Sequence, residues 1–450
     1  MTALSRSQEI VWLHEELFPE SRAYNFTAIL DLRGMLDEPA LRESLATVLS
    51  RHEAFQLEVD TVHCPPKQRV NRACEMRYRA VEIPESSNQE ADFEKLWREQ
   101  HDEPFKIAEA PLVRWTLVRL SDRHHRLLHT EHHLVHDGWS FALVIRDLFI
   151  SYRALTRRTA AELPKPRSYT EYVEHTGAAD QQAGPRTESM AYWRRALDGA
   201  TFDLPLPGLV PSTRVRSIPH GDQRRQLIAP ELADRLRATA RRDGHTVFSI
   251  FLTLFAELLR RDTGRTDLVI GSAVGNRPPG YEECIGMFVN TIPLRIQLQP
   301  GQSARHAADE VTEVLVRSLP HQGIPVQDLA RELGVHSASG LDNPLFRVMF
   351  SAHDAPLPQI DGLSLDVSIQ EALNTGTSRF DLDVVLIPDS QRTVNPRSTV
   401  GGMLLIWDFA TDLYDTERIS ELQRQFAQLL ESYVLDSGRS LTDLDRATGR

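Results

Sequence analysis

The stretch Glu131-His132-His133-Leu134-Val135-His136-Asp137-Gly138-Trp139-Ser140 lies where the periodicity of apolar residues changes. Before it, residues 112–120 alternate apolar and polar side chains, residues 121–123 have turn composition, and residues 126–131 resume as a strand. This pattern predicts a β-hairpin. After the stretch, apolar residues recur at helical spacing over residues 140–153. The paired histidines are therefore predicted to lie at a strand-to-helix transition.

The second histidine of the pair, His133, is the candidate catalytic group. Imidazole accepts a proton near neutral pH, which suits the transfer of an acyl group to a weak nucleophile. Asp137 and Gly138 are predicted to form a bend that keeps the ring oriented, with Asp137 taking no part in proton transfer. Because Gly138 lacks a Cβ, substrate would approach the backbone closely there. Free N–H groups at the start of the following helix would lie near a developing oxyanion.

Two simpler interpretations of these histidines stay open from the residues alone. Adjacent histidines are usually structural residues at a strand end, and a second pair at residues 124–125 falls in the predicted turn with no Asp-Gly after it. His133, His136 and Asp137 are also residue types that bind zinc. Gly138 is predicted to interrupt any helix here, so these side chains are not expected to share one face. No metal site is predicted.

Two α/β units of similar make-up account for the length and pattern of the chain. Its 450 residues suffice for two domains of roughly 200 residues each. Polar residues 178–188 and proline-containing residues 204–212 form the predicted linker, which divides the chain into residues 1–178 and 179–450. Helices are predicted at residues 35–51, 246–260 and 303–319, and strands at residues 267–273, 345–351, 382–387 and 403–407.

Composition disfavours several classes of protein. The net charge is -12 and the sequence pI about 5.8, so no footprint for nucleic acid or an anionic membrane is indicated. The three cysteines are scattered, which argues against a disulfide framework and a structural zinc site and favours a reducing compartment. No apolar run suits a secretory signal or a membrane span. A cytoplasmic protein is expected.

The sequence resembles the condensation domains of nonribosomal peptide synthetases, whose signature HHxxxDG usually continues as WS. Residues 132–140 match that signature. The segment IGxFVNT is matched in full, whereas RHExLRT is broken by Phe55 and Gln56, and HQDxPFE keeps only its His-Gln and Pro. In the family's order, the further matching segments are residues 5–12 (SxAQxxLW), 51–53 (RHE), 169–172 (a weak match), 285–291 (IGxFVNT), 321–325 (HQDxPFE) and 342–346 (NPLF).

The resemblance implies an α/β fold with two chloramphenicol-acetyltransferase-like sandwich subdomains in a V-shaped pseudo-dimer. Residues 1–178 would carry the HHxxxDG motif, and residues 179–450 would complete a central active-site tunnel. Donor and acceptor would enter the tunnel from opposite faces. The phosphopantetheine arm would be delivered by a partner carrier protein, so the chain itself is expected to bind no cofactor.

The resemblance also implies roles for single residues. His133 would act on the nucleophile, either as a general base or by positioning it, and His132 would support the strand end. Asp137 would form a structural ion pair with Arg277, which precedes the IGxFVNT segment. Trp139 is expected to pack under the loop as a core residue. Further support of the tunnel and its loops is assigned to Ser140 and to the loop-fixing amides Asn290 and Asn343.

The implied function is that of a free-standing condensation enzyme, since no adenylation or carrier segment occurs in these residues; an excised domain would instead belong inside a larger synthetase. Such an enzyme passes an acyl or aminoacyl group from a carrier-bound thioester to a small-molecule or carrier-bound amine or alcohol. A monomer is expected. The alternatives are a CoA-dependent O- or N-acyltransferase of the same superfamily and a catalytically inactive carrier-binding scaffold. Epimerisation domains and plant-type acyltransferases are disfavoured by the intact IGMFVNT segment and by the lack of DFGWG, respectively.

Overall fold

The computed structural model describes residues 1–85, 88–180, 183–204, 206, 220–336, 343–353, 355–371, 373–374, 376–388, 392–394 and 401–444. The strands are β1 (Thr2–Ala3), β2 (Asn25–Arg33), β3 (Leu57–Asp60), β4 (Lys67–Val70), β5 (Arg77–Glu82), β6 (Val113–Ser121), β7 (His124–His132), β8 (Gly221–Ile228), β9 (Asp267–Val274), β10 (Asn290–Gln297), β11 (Val348–Ala352), β12 (Asp366–Gln370), β13 (Leu382–Ile387), β14 (Arg392–Val394) and β15 (Met403–Ala410). The helices are α1 (Arg6–Leu17), α2 (Glu38–Arg51), α3 (Gln89–Asp102), α4 (Gly138–Arg157), α5 (Tyr169–Asp180), α6 (Ala183–Ala196), α7 (Pro230–Asp243), α8 (Val247–Thr263), α9 (Ala304–Ser318), α10 (Val326–Glu332) and α11 (Thr416–Leu435).

Two six-stranded mixed sheets, each covered by helices, form the body of the molecule. The first has the strand order β14-β12-β2-β7-β6-β5, and the second has the order β10-β9-β11-β13-β15-β8. A three-stranded sheet, β1-β4-β3, accompanies the first. The predicted α/β fold with two sandwich halves is confirmed. None of the helices among these residues is long and apolar enough to cross a membrane.

Each half has its own apolar core on the helix-covered face of its sheet. In the first half, α2 and α4 pack together, and their apolar residues join those of β2, β6 and β7 in one cluster. In the second half, α8 is buried between the sheet and helices α9 and α11, as its almost wholly apolar sequence predicts. The opposite face of the second sheet is therefore free to line a cavity.

The two halves are interlocked. Strand β12 pairs antiparallel with β2, with Val367 opposite Leu32, and β14 in turn pairs with β12. Both strands come from the second part of the sequence, yet they complete the sheet that carries the paired histidines. The site is thus held by main-chain hydrogen bonds that join segments far apart in the sequence.

Two local predictions are wrong, and part of the predicted linker is helical. His124 and His125 begin β7 instead of lying in the turn, because the turn is short and His124 Nε2 lies 2.7 Å from Asp31 Oδ2 on the neighbouring strand. Residues 178–180 and 183–188 of the predicted linker lie in α5 and α6, so this stretch is helical where it is described. Helix α4 begins at Gly138, not near Ser140, because Asp137 caps it. Predicted linker residues 205 and 207–212 lie outside the described residues.

Candidate active site

The paired histidines lie where the first sheet passes into its covering helix. Strand β7 ends at His132, residues His133–Val135 form one 3-10 turn, and α4 follows. Asp137 is the N-cap of α4, with extended backbone (φ -144, ψ 174). The bend therefore needs no left-handed residue, and the conformation does not require glycine at position 138. A Cβ at Gly138 would lie 3.9 Å from Cδ2 of His353, inside the cavity between the two halves.

The His133 ring is oriented by the backbone of its own turn. Its Nδ1 lies 3.1 Å from the carbonyl oxygen of His136, which can only accept, so Nδ1 carries the proton and Nε2 of the neutral ring carries the lone pair. Within the part of the chain that is described, Nε2 has no hydrogen-bond partner. Burial lowers the pKa of His133 well below 6.5, and the nearby His136 and Arg379 lower it further. The ring is thus neutral and able to accept a proton at neutral pH.

Asp137 links the two halves of the molecule. Its carboxylate accepts from the Ser140 N–H at 2.8 Å, from Arg277 Nη2 at 3.0 and 3.1 Å, and from the Phe288 N–H at 3.1 Å. The side chains of Asp137 and Arg277 are only 5% and 8% exposed. The structure therefore brings together the two residues that the resemblance pairs, and no carboxylate oxygen is left over to take a proton from substrate.

Arg277 is held on every side. Its guanidinium donates to the carbonyls of Tyr281, at 3.0 Å, and Cys284, and it lies 3.8 Å from the centre of the Phe288 ring. Ser140 Oγ lies 2.7 Å from Asp137 Oδ1 and accepts from the Gly286 N–H at 3.1 Å. The predicted support residue Ser140 thus fixes the loop that contains the IGMFVNT segment.

A buried acid lies directly behind the turn that carries His133. The Glu131 carboxylate lies 2.5 Å from His136 Nδ1 and 3.1 Å from His129 Nε2, and Glu131 is fully buried. Burial by itself would raise the pKa of Glu131, yet the two imidazoles hold it at about 2. Because the His136 ring also stacks on Phe26, at 4.5 Å between ring centres, the residue whose carbonyl orients His133 is itself fixed.

The other predicted residues take different places. His132 is buried, with Nε2 3.4 Å from Glu15 Oε1, at the end of its strand. Trp139 is not a core residue: it is 46% exposed, lines the cavity, and donates from Nε1 to the Glu282 carbonyl at 2.9 Å. Its helix is amphipathic, and position 139 falls on the side away from the sheet.

The two predicted amides fix loops in different ways. Asn290 Nδ2 donates to the carbonyls of Gln322 and Ile324 at 2.6 and 2.8 Å, so it holds a second loop and not its own backbone. Asn343 Oδ1 accepts from the Leu345 N–H at 3.0 Å, a local turn of the kind expected for Asn. Both residues line the cavity.

A cavity of about 1370 Å³ separates the two halves. From the first half it is lined by α1, β2 and the turn that carries His133, and from the second half by residues of β8, β9, β11, β13 and β15. This is the central space that the resemblance implies. It is large enough for a drug-sized ligand.

Several cavity residues received no role from the sequence. Tyr24 packs edge-on against His133 with ring centres 6.0 Å apart, and Arg379 lies 5.8 Å from the centre of the Tyr24 ring. His353, Asp383 and Asp408 come from the second sheet and its edge. The sequence offered a way to single out the two aspartates, because each is the single charged residue in an otherwise apolar strand.

His136 and Asp137, which were considered for zinc together with His133, are engaged elsewhere. His136 Nδ1 contacts Glu131, and both Asp137 oxygens are used by Arg277 and backbone N–H groups. Across the described ranges, no three His, Cys, Asp or Glu side chains are grouped so as to hold a metal ion.

Comparison with known proteins agrees with this geometry. The family model for the condensation domain matches residues 1–447. The chain belongs to the condensation domain family. Phosphinothricin tripeptide synthetase PhsC of Streptomyces viridochromogenes is 32% identical over 98% of the chain, and a linear gramicidin synthase of Brevibacillus parabrevis is 28% identical over 98%. The chain spans 40% and 8% of the length of these two relatives.

Solved structures show the same fold for this condensation domain. A mutant starter condensation domain of rhizomide synthetase RzmA, in complex with C8-CoA, superposes with a TM-score of 0.83 at 20% identity, covering 98% of this chain and 96% of the other. The X-domain from teicoplanin biosynthesis has a TM-score of 0.80 at 22% identity, covering 98% and 97%. At these identities the likeness concerns the fold alone.

Proposed function

We propose that this condensation domain transfers an acyl or aminoacyl group from a phosphopantetheine thioester on a carrier protein to an amine or hydroxyl acceptor. The observation that carries the proposal is the state of His133. Its Nδ1 proton is held by a backbone carbonyl, its Nε2 lone pair is unengaged among the described residues, and its ring lines the cavity between the halves. A neutral imidazole placed in this way accepts the proton of an attacking nucleophile.

The start of α4 supports the same reaction. Asp137 Oδ1 takes the Ser140 N–H, and the Phe141 N–H bonds to the Asp137 carbonyl. The N–H groups of Gly138 and Trp139 are the first-turn donors that these caps do not use, and both residues line the cavity. Donors at a helix N-terminus stabilise the negative oxygen of a tetrahedral intermediate.

We also consider two other functions for this chain. One is acyl transfer from free CoA, since the RzmA starter domain was solved with C8-CoA. The other is recruitment without catalysis, since the teicoplanin X-domain was solved in a complex with OxyB. The unengaged Nε2 lone pair of His133 favours an active enzyme, and a direct comparison of the two donors tests which one is used.

The test is turnover by the separately produced protein. It is incubated with acyl-loaded carrier protein or with acyl-CoA, together with amines or alcohols, and products are followed by mass. We expect transfer from the carrier and a loss of about 10²- to 10⁴-fold in kcat for His133→Ala. Transfer from a separate carrier would also support action in trans.

A matched variant controls for the loss of an imidazole. His306→Ala removes an exposed histidine on α9, outside the cavity, and is expected to leave the rate unchanged. If His133→Ala turned over as fast as the parent, the role of His133 would be wrong. Binding of carrier with no turnover under any condition would favour the scaffold.

A further inference from the structure

Two aspartates stand side by side on the cavity wall formed by the second sheet. Asp383 of β13 and Asp408 of β15 are direct partners in the antiparallel register, and Gln223 of β8 is next in the same row. All three line the cavity. The neighbouring residues Val384 and Trp407 point to the other face and belong to the apolar core. The two carboxylates are therefore directed away from the core and into the cavity.

The protein does not neutralise this pair by direct contact. Asp383 is 7% exposed, and its Oδ1 has no hydrogen-bond partner among the described residues. Asp408 accepts one bond, from Gln223 Nε2 at 2.9 Å. Arg379 acts on both carboxyl groups electrostatically and Arg225 acts on Asp408, but no described cation lies within 4 Å of either carboxylate. Like charges directly opposite each other destabilise a sheet.

The protonation of the pair reflects the lack of a contacting counter-charge among the described residues. Burial raises the pKa of Asp383 above its usual range. Burial, and then the charge of Asp383, raises the pKa of Asp408 to about 7. Asp408 is therefore partly protonated near neutral pH. A bound cation would replace that proton and ionise both carboxyl groups.

We propose that Asp383 and Asp408 bind a protonated amino or guanidino group of a substrate, separate from the group that reacts at His133. A protonated amine has no lone pair for attack, so the nucleophile or thioester must be another part of the same molecule. His133 and the two aspartates line the same cavity, and Arg379 acts electrostatically on all three. The inference rests on the proposed function and adds a substrate class: molecules with a second, basic group.

An organic cation fits this pair better than a metal ion. Two carboxylates and one amide, with no third acidic or imidazole ligand among the described residues, are too few for a closed metal site. An ammonium or guanidinium group, in contrast, is satisfied by two carboxylates and remaining water.

The first experiment measures binding without catalysis. Cadaverine is titrated into the protein by calorimetry, and the isosteric double variant Asp383→Asn/Asp408→Asn is compared with the parent. We expect affinity to fall by about tenfold or more, because a charge-assisted contact is lost. The control Asp412→Asn removes an exposed acid outside the cavity and is expected to bind as the parent does. Equal binding by parent and double variant would overturn the inference.

The second experiment identifies which substrate carries the cation. The measured quantity is kcat/KM. Cadaverine is compared with n-pentylamine as the acceptor, and a carrier loaded with a lysyl group is compared with a carrier loaded with a norleucyl group as the donor. We expect one basic member to be preferred by about tenfold or more in the parent and not in the double variant. If transfer occurs with no such preference, the inference fails and the proposed function stands. If cadaverine binds through the pair but no transfer occurs, the proposed function fails and the site stands.

Folding of the variants is checked separately. Thermal unfolding should show the double variant at least as stable as the parent, because the change removes two carboxylates that directly oppose each other without a contacting cation among the described residues. If the double variant does not fold, the single variant Asp408→Asn, at the partly buried member of the pair, is used in both experiments with the same expected losses.

Discussion

Replacing Asp137 tests the contact that joins the two halves. Asp137→Ala removes an N-cap from α4, which is worth about 1 kcal/mol, and leaves the Phe288 N–H without its acceptor. It also leaves the Arg277 guanidinium buried without a counter-charge, which destabilises proteins by about 3–5 kcal/mol. Arg277 keeps two carbonyl acceptors, so the lower part of that range applies. Because these losses are not additive, we expect the free energy of unfolding to fall by about 4–5 kcal/mol.

The assay is urea denaturation of five proteins: the parent, Asp137→Ala, Asp137→Asn, Arg277→Met and the double variant Asp137→Asn/Arg277→Met. Asp137→Asn keeps an oxygen for the Ser140 N–H and loses the charge, so it should lose about half as much stability as the alanine variant. In the double variant neither charge remains buried alone. We therefore expect it to be more stable than the sum of the two single losses predicts, by about 1–3 kcal/mol.

Two outcomes would refute this reasoning. One is a loss of less than about 1 kcal/mol in the free energy of unfolding for Asp137→Ala, which would mean that only the helix N-cap contributes to stability. The other is single-variant losses that add within about 0.5 kcal/mol, which would mean that Asp137 and Arg277 do not interact.

Two further predictions concern stability. Burial, followed by the charge of Arg114, lowers the pKa of His101 to about 4, so between pH 6.5 and pH 4 the unfolded chain binds a proton that the folded chain refuses. As the pH is lowered through this window, the free energy of unfolding should fall, with His101 contributing on the order of 3 kcal/mol. Urea titrations at pH 6.5 and pH 4 should show a smaller fall for His101→Gln than for the parent. A Cβ at Gly286 would lie 2.1 Å from the Tyr169 ring. Gly286→Ala should therefore reduce the free energy of unfolding by about 1–3 kcal/mol and lower the melting temperature. Gly301→Ala, where nothing lies within 4 Å, is the control, and equal melting temperatures for the two variants would contradict the expected clash.

The local pattern of the chain predicted most of the elements that place the motif. The alternation before His132 and the helical spacing after it are confirmed by β7 and α4, because a strand and an amphipathic helix each need a periodic apolar face wherever they occur. Element ends were less exact. Asp137 is a good N-cap by composition, but the start of α4 at Gly138 depends on the cap being formed.

The sequence also pointed to partners only where a family pattern spans the chain. Arg277 was paired with Asp137 on resemblance, and the structure places Nη2 3.0 Å from Oδ1. No such pattern named Glu131, although it belongs to the decisive stretch. Its contacts with His129 and His136 arise because alternate residues of one strand share a face and the following turn folds back over it.

By itself, the sequence determined the order of the elements, the motif at the end of β7 and the presence of two α/β halves, since these follow from periodicity and short-range chemistry. Only the tertiary structure decided that β12 and β14 complete the first sheet, that Trp139 faces the cavity, and that Asp383 stands opposite Asp408. Strand order and register bring such residues together across the fold, and neither is encoded in the local spacing of apolar and polar residues.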